Sequence, residues 1–543
     1  MTLTSPINVL KYFKSKDDIL PEMKNRRRED GIAFAFCLLC AFIFIGICSR
    51  SSPIYPLNDW VDANCYFTVG KSMANGRVLY RDIYEQKGIL LYVLHMIAYF
   101  ISNTTFFGMY IIESLFFSAF LFLSYKTARM WLGISACLAF LPAISYFLLT
   151  SVSLRQGDSA EEMCLPFIMY AIYIMVSTAE NEDSMPDASQ CFILGACAAC
   201  IFFIKFTLTG IYIGYIILAV IFAINDKKIL PLLRSALFFA LGAITVSIPF
   251  MVYFAVNGAL SDFYTAYIYN NMFVYAKESK LIDKIISIFS LTARGIDYND
   301  AWGILVLIGL GSSLLDLKRP KIALGTLILY VSNAFFIYYG GVGYYYYSLG
   351  MGALSTLGCI AVMRVLCYCL SAAKSALVFA LGDNSLFDIR SLDKATKKAI
   401  SIILIFATLL CVTLLYTEKS IARSSNYFYS KYEREDIWQE KFAKIINETG
   451  EEMTLLNYSC LDLGLYTTAN ILPSEKYFCR LNIKLPEMID SLDRAVREKH
   501  TEFLVVRSQP SDFVLTYYEV IAKETSFLEF EGSRADYYLL KRK

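Results

Sequence analysis

Long apolar blocks alternate with short polar segments over the first 415 residues. Most blocks approach the ~20 apolar residues that a helix needs to cross a bilayer. We predict about eleven spans, at residues 31–49, 106–124, 130–150, 163–177, 191–205, 209–224, 229–256, 301–315, 322–338, 346–369 and 399–415. The run Ile89–Ile101 would cover only about 20 Å, so we predict an interfacial or re-entrant helix there.

Basic residues beside these blocks predict the orientation of the chain. The sequence KNRRRED precedes the first block, so the positive-inside rule places residues 1–30 in the cytoplasm. The polar loop 50–105 is then external, whereas Lys126, Arg129 and the loop 316–321 are internal. No small-residue cleavage site follows the first block, which we interpret as a retained signal anchor.

The pattern changes after residue 415. Residues 416–543 are charged and contain no block long enough to span a bilayer. Amphipathic helical patterns at 438–448 and 488–499 alternate with strand patterns at 453–459, 502–508 and 537–543. We therefore predict an all-α polytopic membrane protein, with its membrane domain at 31–415 and a soluble, extracytoplasmic α/β domain at 416–543.

The composition supports a membrane protein and excludes other classes. The chain of 543 residues is 57% hydrophobic and only 18% charged, against about 25% charged for a soluble protein. A net charge of +2 without a basic patch argues against nucleic-acid binding. Two histidines argue against a histidine-based metal site, and most of the 15 cysteines lie in apolar blocks. Cys460 and Cys479 could form one disulfide if their domain faces an oxidising space.

The external loop at residues 62–88, DANCYFTVGKSMANGRVLYRDIYEQKG, holds the first candidate site residues. Asp62 and Tyr66 share a face if the segment is helical, and Lys87 lies where the loop returns to the apolar phase. A carboxylate can accept a proton from a hydroxyl nucleophile, and a lysine can pair with a phosphate. Asp59 precedes them and is a further candidate for substrate binding. The alternative is a solvated loop without a chemical role.

Three acids begin a later span, in GDSAEEMCLPF at residues 157–167. Asp158, Glu161 and Glu162 could simply cap the helix, because acids stabilise a helix N-terminus. They could instead form a second acidic group that orients an acceptor or holds a divalent metal ion.

Two further candidates lie in the apolar phase or at its edge. Lys205 is a single lysine in an apolar run, and a lysine at mid-bilayer costs about 3 kcal/mol. Such residues usually face a cavity, although Lys205 could also extend to the membrane surface. Tyr346 lies in a tyrosine-rich turn that could bind sugar hydroxyls or form an aromatic interface belt. His95 is interpreted as an interfacial residue.

These segments, in this order, resemble the GT-C membrane glycosyltransferases, which include protein O-mannosyltransferases and lipid A aminoarabinose transferases. DANCYFTVGKSM resembles the acidic motif of the first external loop, and YEQKGILLYVL resembles the lysine-bearing entry to a juxtamembrane helix. GDSAEEMCLPF and FFIKF resemble the second acidic loop and the lysine-bearing short span. The chain departs from the pattern at Gln86, at Ile89 and in the tyrosines around Tyr346, which leaves the sugar and the acceptor open.

The resemblance implies a site and a reaction. Asp62 would be the general base, Lys87 and Lys205 would contact the donor phosphate, and Asp158, Glu161 or Glu162 would supply a second acid. The donor would be a polyprenyl-phosphate-linked sugar, and the acceptor a hydroxyl of a glycan, lipid or protein. The transfer would invert the anomeric centre on the outer face of a bacterial inner membrane. A divalent metal remains an open possibility.

Two other hypotheses fit the same sequence. A flippase or transporter of a lipid-linked glycan could use the same basic cavity, but such proteins usually contain internal repeats, and we find none. A polysaccharide polymerase or ligase of a different fold also uses polyprenyl carriers. The late external loop 257–300 holds only four basic residues, at 277, 280, 284 and 294, which favours the transferase.

Overall fold

The computed structural model describes residues 16–180, 185–276, 280–297, 300–381, 426, 429–528 and 533–543. The predicted span 399–415 lies outside the described residues. Helices build the membrane part: α1 Lys16–Cys48, α2 Val61–Ala74, α3 Ile89–Ile101, α4 Phe107–Ala128, α5 Ile134–Leu149, α6 Ala160–Glu180, α7 Ala188–Lys205, α8 Gly210–Asn225, α9 Ile229–Val256, α10 Leu260–Phe263, α11 Leu281–Asp297, α12 Asp300–Leu315, α13 Pro320–Tyr338, α14 Leu349–Gly352 and α15 Ser355–Leu381.

Within the described ranges, six helical segments are long and apolar enough to cross a membrane, and two bent helix pairs raise the number to eight. The chain is therefore a multi-pass membrane protein. Helix α3 has the predicted bounds and, at 13 residues, is too short to span a bilayer. Helix α5 has only 16 residues, because it begins after Gly133, so the span predicted at 130–150 is shorter than expected.

The segment Ala188–Asn225 is divided at Lys205, whose backbone is extended (φ −154°, ψ 98°). Glu180, shortly before α7, pairs with Arg319, and Asp226, directly after α8, pairs with Lys321 at 3.0 Å. Both ends of the segment thus lie beside the same short loop. Helices α7 and α8 therefore run in opposite directions, and Lys205 lies at the turn between them.

Several ion pairs between helix ends and short loops lie at one end of the bundle, which we call the basal end. There Lys126 pairs with Asp30 at 2.8 Å and Arg129 with Glu29 at 2.7 Å. The pairs made by Arg319 and Lys321 lie at the same end. The segments that the sequence predicts to be cytoplasmic therefore lie together. The opposite end, the site end, carries α2, residues 150–159, Lys205 and the 3₁₀ segment Tyr345–Ser348.

The C-terminal domain is a small mixed sheet with helices. It contains α16 Trp438–Thr449, β1 Leu455–Asn457, α17 Leu465–Thr468, α18 Pro486–Arg497, β2 Phe503–Arg507, α19 Asp512–Tyr517, β3 Tyr518–Leu528 and β4 Ser533–Arg542. The strand order is β1-β2-β4-β3; β1 and β2 are parallel, and β4 is antiparallel to both of its neighbours. The sequence predicts α16, β1, α18, β2 and β4. It does not predict the short helices α17 and α19 or the edge strand β3, whose polar residues do not alternate cleanly with apolar ones.

Candidate functional site

Asp62 lies in the first turn of α2 at the site end, where the helix dipole favours a negative charge. Its Oδ2 accepts a hydrogen bond of 2.9 Å from the Tyr346 hydroxyl. The Tyr346 ring packs edge-on against Trp60, with 5.1 Å between the ring centroids. Asp62 and Tyr346, which are 284 positions apart in the sequence, are thus in direct contact. A site that contains both residues requires such a contact.

Gly88 brings the two candidate lysines to the same place. Its N–H donates a hydrogen bond of 3.0 Å to the Ile204 carbonyl, at the C-terminal end of α7. A Cβ at Gly88 would lie 2.1 Å from the Phe203 carbonyl oxygen, so only glycine allows this approach. Lys87 directly precedes Gly88, and Lys205 directly follows Ile204. The hydrogen bond between Gly88 and Ile204 therefore holds the two lysines side by side.

Lys205 is buried and pairs with Glu161, the second residue of α6. Its ammonium also lies 3.4 Å from the centroid of the Tyr347 ring and 5.7 Å from that of Tyr346. A carboxylate and two aromatic faces thus compensate the cost of burying this lysine. Lys205 faces the protein interior instead of extending to the membrane surface.

Lys87 is the less restrained of the two lysines. Its Nζ lies 5.8 Å from the centroid of the Tyr66 ring, and among the described residues no carboxylate lies within ion-pair distance of it. Burial would lower the pKa of Lys87, but the nearby carboxylates of Glu85, Asp62 and Glu161 outweigh this effect and raise the pKa above its ordinary value. Lys87 is therefore a positively charged ammonium in an acidic environment.

Tyr66 presents a second available group. Its ring is buried against His95 and Tyr92, and its hydroxyl has no hydrogen-bond partner within the part of the chain that the structure describes. Buried hydroxyl groups normally have a partner. The Tyr66 hydroxyl is thus an unsatisfied buried polar group on a ring whose centroid lies 5.8 Å from the Lys87 ammonium.

The other two acids of the segment 157–167, Asp158 and Glu162, lie in a separate cluster. Asp158 contacts His95 Nε2 at 3.1 Å, with both side chains fully buried. Its N–H donates to the Glu162 carboxylate at 2.9 Å, and burial raises the pKa of Asp158 although His95 opposes the shift. Glu113 of α4 lies in the same cluster. Glu161 alone joins the Lys205 pair, because neighbouring helical residues point about 100° apart.

The position of His95 differs from the one predicted from the sequence. His95 is fully buried, not interfacial, because it completes the acid cluster. Asp59 pairs with Arg50 at 2.5 Å, and Arg50 in turn donates to Asn426. The predicted role of Asp59 in substrate binding stays a prediction.

Three site residues were not predicted from the sequence. Tyr347 was hidden in a run of tyrosines, and Glu85 in a charged loop. Glu113 carried the same signal as Lys205, a lone charge in an apolar run, and could have been found.

No disulfide joins Cys460 to Cys479 in the described part of the chain. Cys460 and Cys479 are free thiols, and Cys479 Sγ lies 3.8 Å from Cys65 Sγ in α2. Within the described ranges, no group of three or more His, Cys, Asp and Glu side chains has an arrangement that could hold a metal ion.

Comparison with solved structures identifies the class of this fold. ArnT from Cupriavidus metallidurans, bound to undecaprenyl phosphate or in the apo state, superposes with a TM-score of 0.54 and 13% sequence identity, over 94% of this chain and 97% of that chain. The archaeal oligosaccharyltransferase AglB from Archaeoglobus fulgidus, in complex with an inhibitory peptide and a dolichol-phosphate, gives 0.46 and 9% identity, over 87% of this chain and 69% of that one. The chain has the fold of the GT-C membrane glycosyltransferases.

A family match gives the particular relationship. Residues 24–299 match the family of the competence-induced protein Ccs4 N-terminal domain, and the chain belongs to this family. No curated protein matches the chain by sequence.

Proposed function

We propose that this protein is a membrane glycosyltransferase that moves a sugar from a polyprenyl-phosphate donor to a hydroxyl acceptor, with inversion at the anomeric carbon. One observation carries the proposal: the carboxylate of Asp62 and the ammonium groups of Lys87 and Lys205 converge at one end of a GT-C bundle. The resemblance in sequence motifs and the likeness in fold to ArnT support the same reaction class.

Each group has a role that its position allows. The Asp62 carboxylate takes the proton of the acceptor hydroxyl, whose oxygen forms a bond to the anomeric carbon. The bond between that carbon and the phosphate oxygen breaks, and its electron pair remains on the departing polyprenyl phosphate. Lys87 faces the negative charge that develops there, and a fixed cation in a dry site is worth more than in water.

Lys205 and Tyr346 complete this arrangement. The Tyr346 hydroxyl orients the Asp62 carboxylate through the hydrogen bond to Oδ2. Lys205 is held by Glu161, so it contributes a second, positioned positive charge near the phosphate. The lipid tail of the donor stays in the bilayer, which explains why a polar site lies at the end of an apolar bundle. We place this site on the outer face of a bacterial cell membrane.

A site of this kind distinguishes the transferase from the rival hypotheses. A polymerase or ligase of a different fold is incompatible with the GT-C architecture. A flippase needs a basic cavity but no carboxylate base, so the hydrogen-bonded Asp62 favours chemistry over transport.

The first experiment removes the base. Asp62→Asn keeps the shape of the side chain but cannot accept the proton, so we expect release of polyprenyl phosphate from a panel of polyprenyl-phosphate sugars to cease. Purified protein in detergent serves for the assay. Asp283→Asn, an exposed acid on α11, is the matched control and should retain wild-type activity. An active Asp62→Asn enzyme would contradict the proposed base.

The second experiment tests the donor phosphate contact. Lys87→Ala should raise the KM for the donor and lower kcat, while the KM for the acceptor changes little, because the proposal assigns this lysine to the donor phosphate. Lys280→Ala, an exposed lysine at the start of α11, is the control. A change confined to the acceptor KM would show that Lys87 does not bind the donor.

A further inference from the structure

The C-terminal domain rests directly on α2, the helix that carries Asp62. Asp462 accepts a hydrogen bond of 2.6 Å from the Thr68 hydroxyl, and Lys71 donates one of 3.0 Å to the Tyr466 carbonyl. Cys65 meets Cys479 on the same side of the helix. The spacing of 65, 68 and 71 places these residues along one face of α2. We call this contact the α2 seat.

The backbone of the domain also follows the first loop. The Tyr84 N–H donates to the Lys476 carbonyl at 2.9 Å, and Arg77 donates to the Ser474 carbonyl at 2.9 Å. Gly464 has a positive φ of 91°, and a Cβ there would lie 3.1 Å from Asn64 Oδ1 of α2. The α2 seat is therefore a close-packed contact whose register is fixed at several points.

The seat buries two opposite charges that only docking brings together. Lys71 is 1% exposed and Asp462 is fully buried, although they belong to segments almost 400 residues apart. Burial lowers the pKa of Lys71 to about 8 and raises that of Asp462 to about 6. Buried charges of this kind can define one register of an interface, because any other register leaves them without partners.

The seat is close to the candidate base. Thr68 lies about 9 Å along the helix axis from Asp62, at 1.5 Å per residue, and one continuous helix joins them. The other side of α2 packs on α3, where Gly70 lies against the backbone of His95 and Met96. The helix is thus held between α3 and the domain, and any shift of the domain would move Asp62.

We propose that the C-terminal domain is a positioning element of the site: its seat on α2, through Asp462, Thr68 and Lys71, holds Asp62 in the geometry that the reaction needs. This inference rests on the proposed transferase function. The domain stays seated during turnover, and the seat contributes to the rate and not to donor affinity.

The first test is the isosteric variant Thr68→Val, which removes the hydroxyl that Asp462 binds and keeps the size and β-branching of the side chain. We expect kcat to fall at least fivefold, with the donor KM within about twofold of wild type. The matched control is Thr127→Val, because Thr127 is equally buried but bonds only to the Leu123 carbonyl of its own helix. A Thr68→Val enzyme with wild-type kcat would overturn the proposal.

The second test locks the seat through its own thiols. Diamide should oxidise Cys65 and Cys479 to a disulfide, itself being reduced to the hydrazine, and mass mapping of the joined peptides measures the yield. Cross-linked wild type should retain its kcat, and cross-linking should return Thr68→Val to within about twofold of wild type. Cys479→Ser controls for the other thiols.

The outcomes separate the two proposals. Cross-linked wild type that is inactive would mean that the domain must leave α2 during turnover, which overturns the positioning role. A failure of the cross-link to restore Thr68→Val would do the same. Wild type that releases no polyprenyl phosphate from any donor would instead contradict the transferase function. In that case the cross-link yield still reports whether the seat forms.

Discussion

Gly88 offers the sharpest test of how the two lysines are brought together. In Gly88→Ala, the new Cβ would lie 2.1 Å from the Phe203 carbonyl oxygen, whereas ordinary contact begins at 3.4 Å. The difference, about 1.3 Å, must be met by moving the first loop away from the end of α7. The two nearest atoms, the carbonyl oxygen and carbon of Phe203, belong to the backbone, so no side-chain rotation can relieve the clash with them.

The expected loss follows from that displacement. A shift of about 1 Å in a catalytic group can reduce the rate about 100-fold. We therefore expect kcat of Gly88→Ala to fall by about two orders of magnitude, because Lys87 moves relative to Lys205. The assay is polyprenyl phosphate release in detergent, with thermal unfolding measured in parallel to exclude a general loss of structure.

A matched glycine controls for the substitution itself. A Cβ added at Gly311, within α12, would meet no atom of its surroundings within 4 Å, so Gly311→Ala should keep wild-type activity. If Gly88→Ala folds and retains wild-type kcat, the close approach of the loop to α7 does not position the lysines. The reasoning that joins Lys87 to Lys205 would then be refuted.

Three further predictions concern single groups. Tyr346→Phe should lower kcat about tenfold, because a hydrogen bond to a carboxylate contributes about 1.5 kcal/mol; unchanged kinetics would remove Tyr346 from the site. Lys205→Met should destabilise the protein by about 3 kcal/mol because it leaves Glu161 buried and unpaired, and Lys205→Met/Glu161→Gln should recover most of this in thermal unfolding. Burial raises the pKa of Asp462 from 3.8 to about 6, so the folded state binds the extra proton and stability should fall by about 3 kcal/mol as the pH rises from about 4 to about 6. Asp462→Asn should lose this dependence, and an unaltered pH profile of its unfolding midpoint would contradict the assignment.

The apolar pattern alone predicted much of the architecture. Most of the apolar helices, the short helix α3 and several elements of the C-terminal domain follow from periodicity and length, whereas α11 lies in a segment that the sequence predicts to be a loop. Lone charges were informative for a related reason: a charge in lipid is costly, so Lys205 was expected either to face a cavity or to extend to the membrane surface. Asp62, Lys87 and Tyr346 were likewise identified as candidates, although their convergence was only an expectation from the resemblance.

The partners of these groups could not be read from the chain. Glu161 and Glu162 are adjacent in sequence, yet one pairs with Lys205 and the other joins Asp158. A helix turns about 100° per residue, so neighbours face different surroundings, and only packing decides which. The α2 seat was equally hidden, because nothing in the sequence distinguishes Lys71 and Asp462 from other charged residues until tertiary structure buries both at one contact. The sequence pattern indicates which side chains are costly to bury or to place in lipid. Which distant side chains pair with them is decided by the three-dimensional packing that brings their segments into contact.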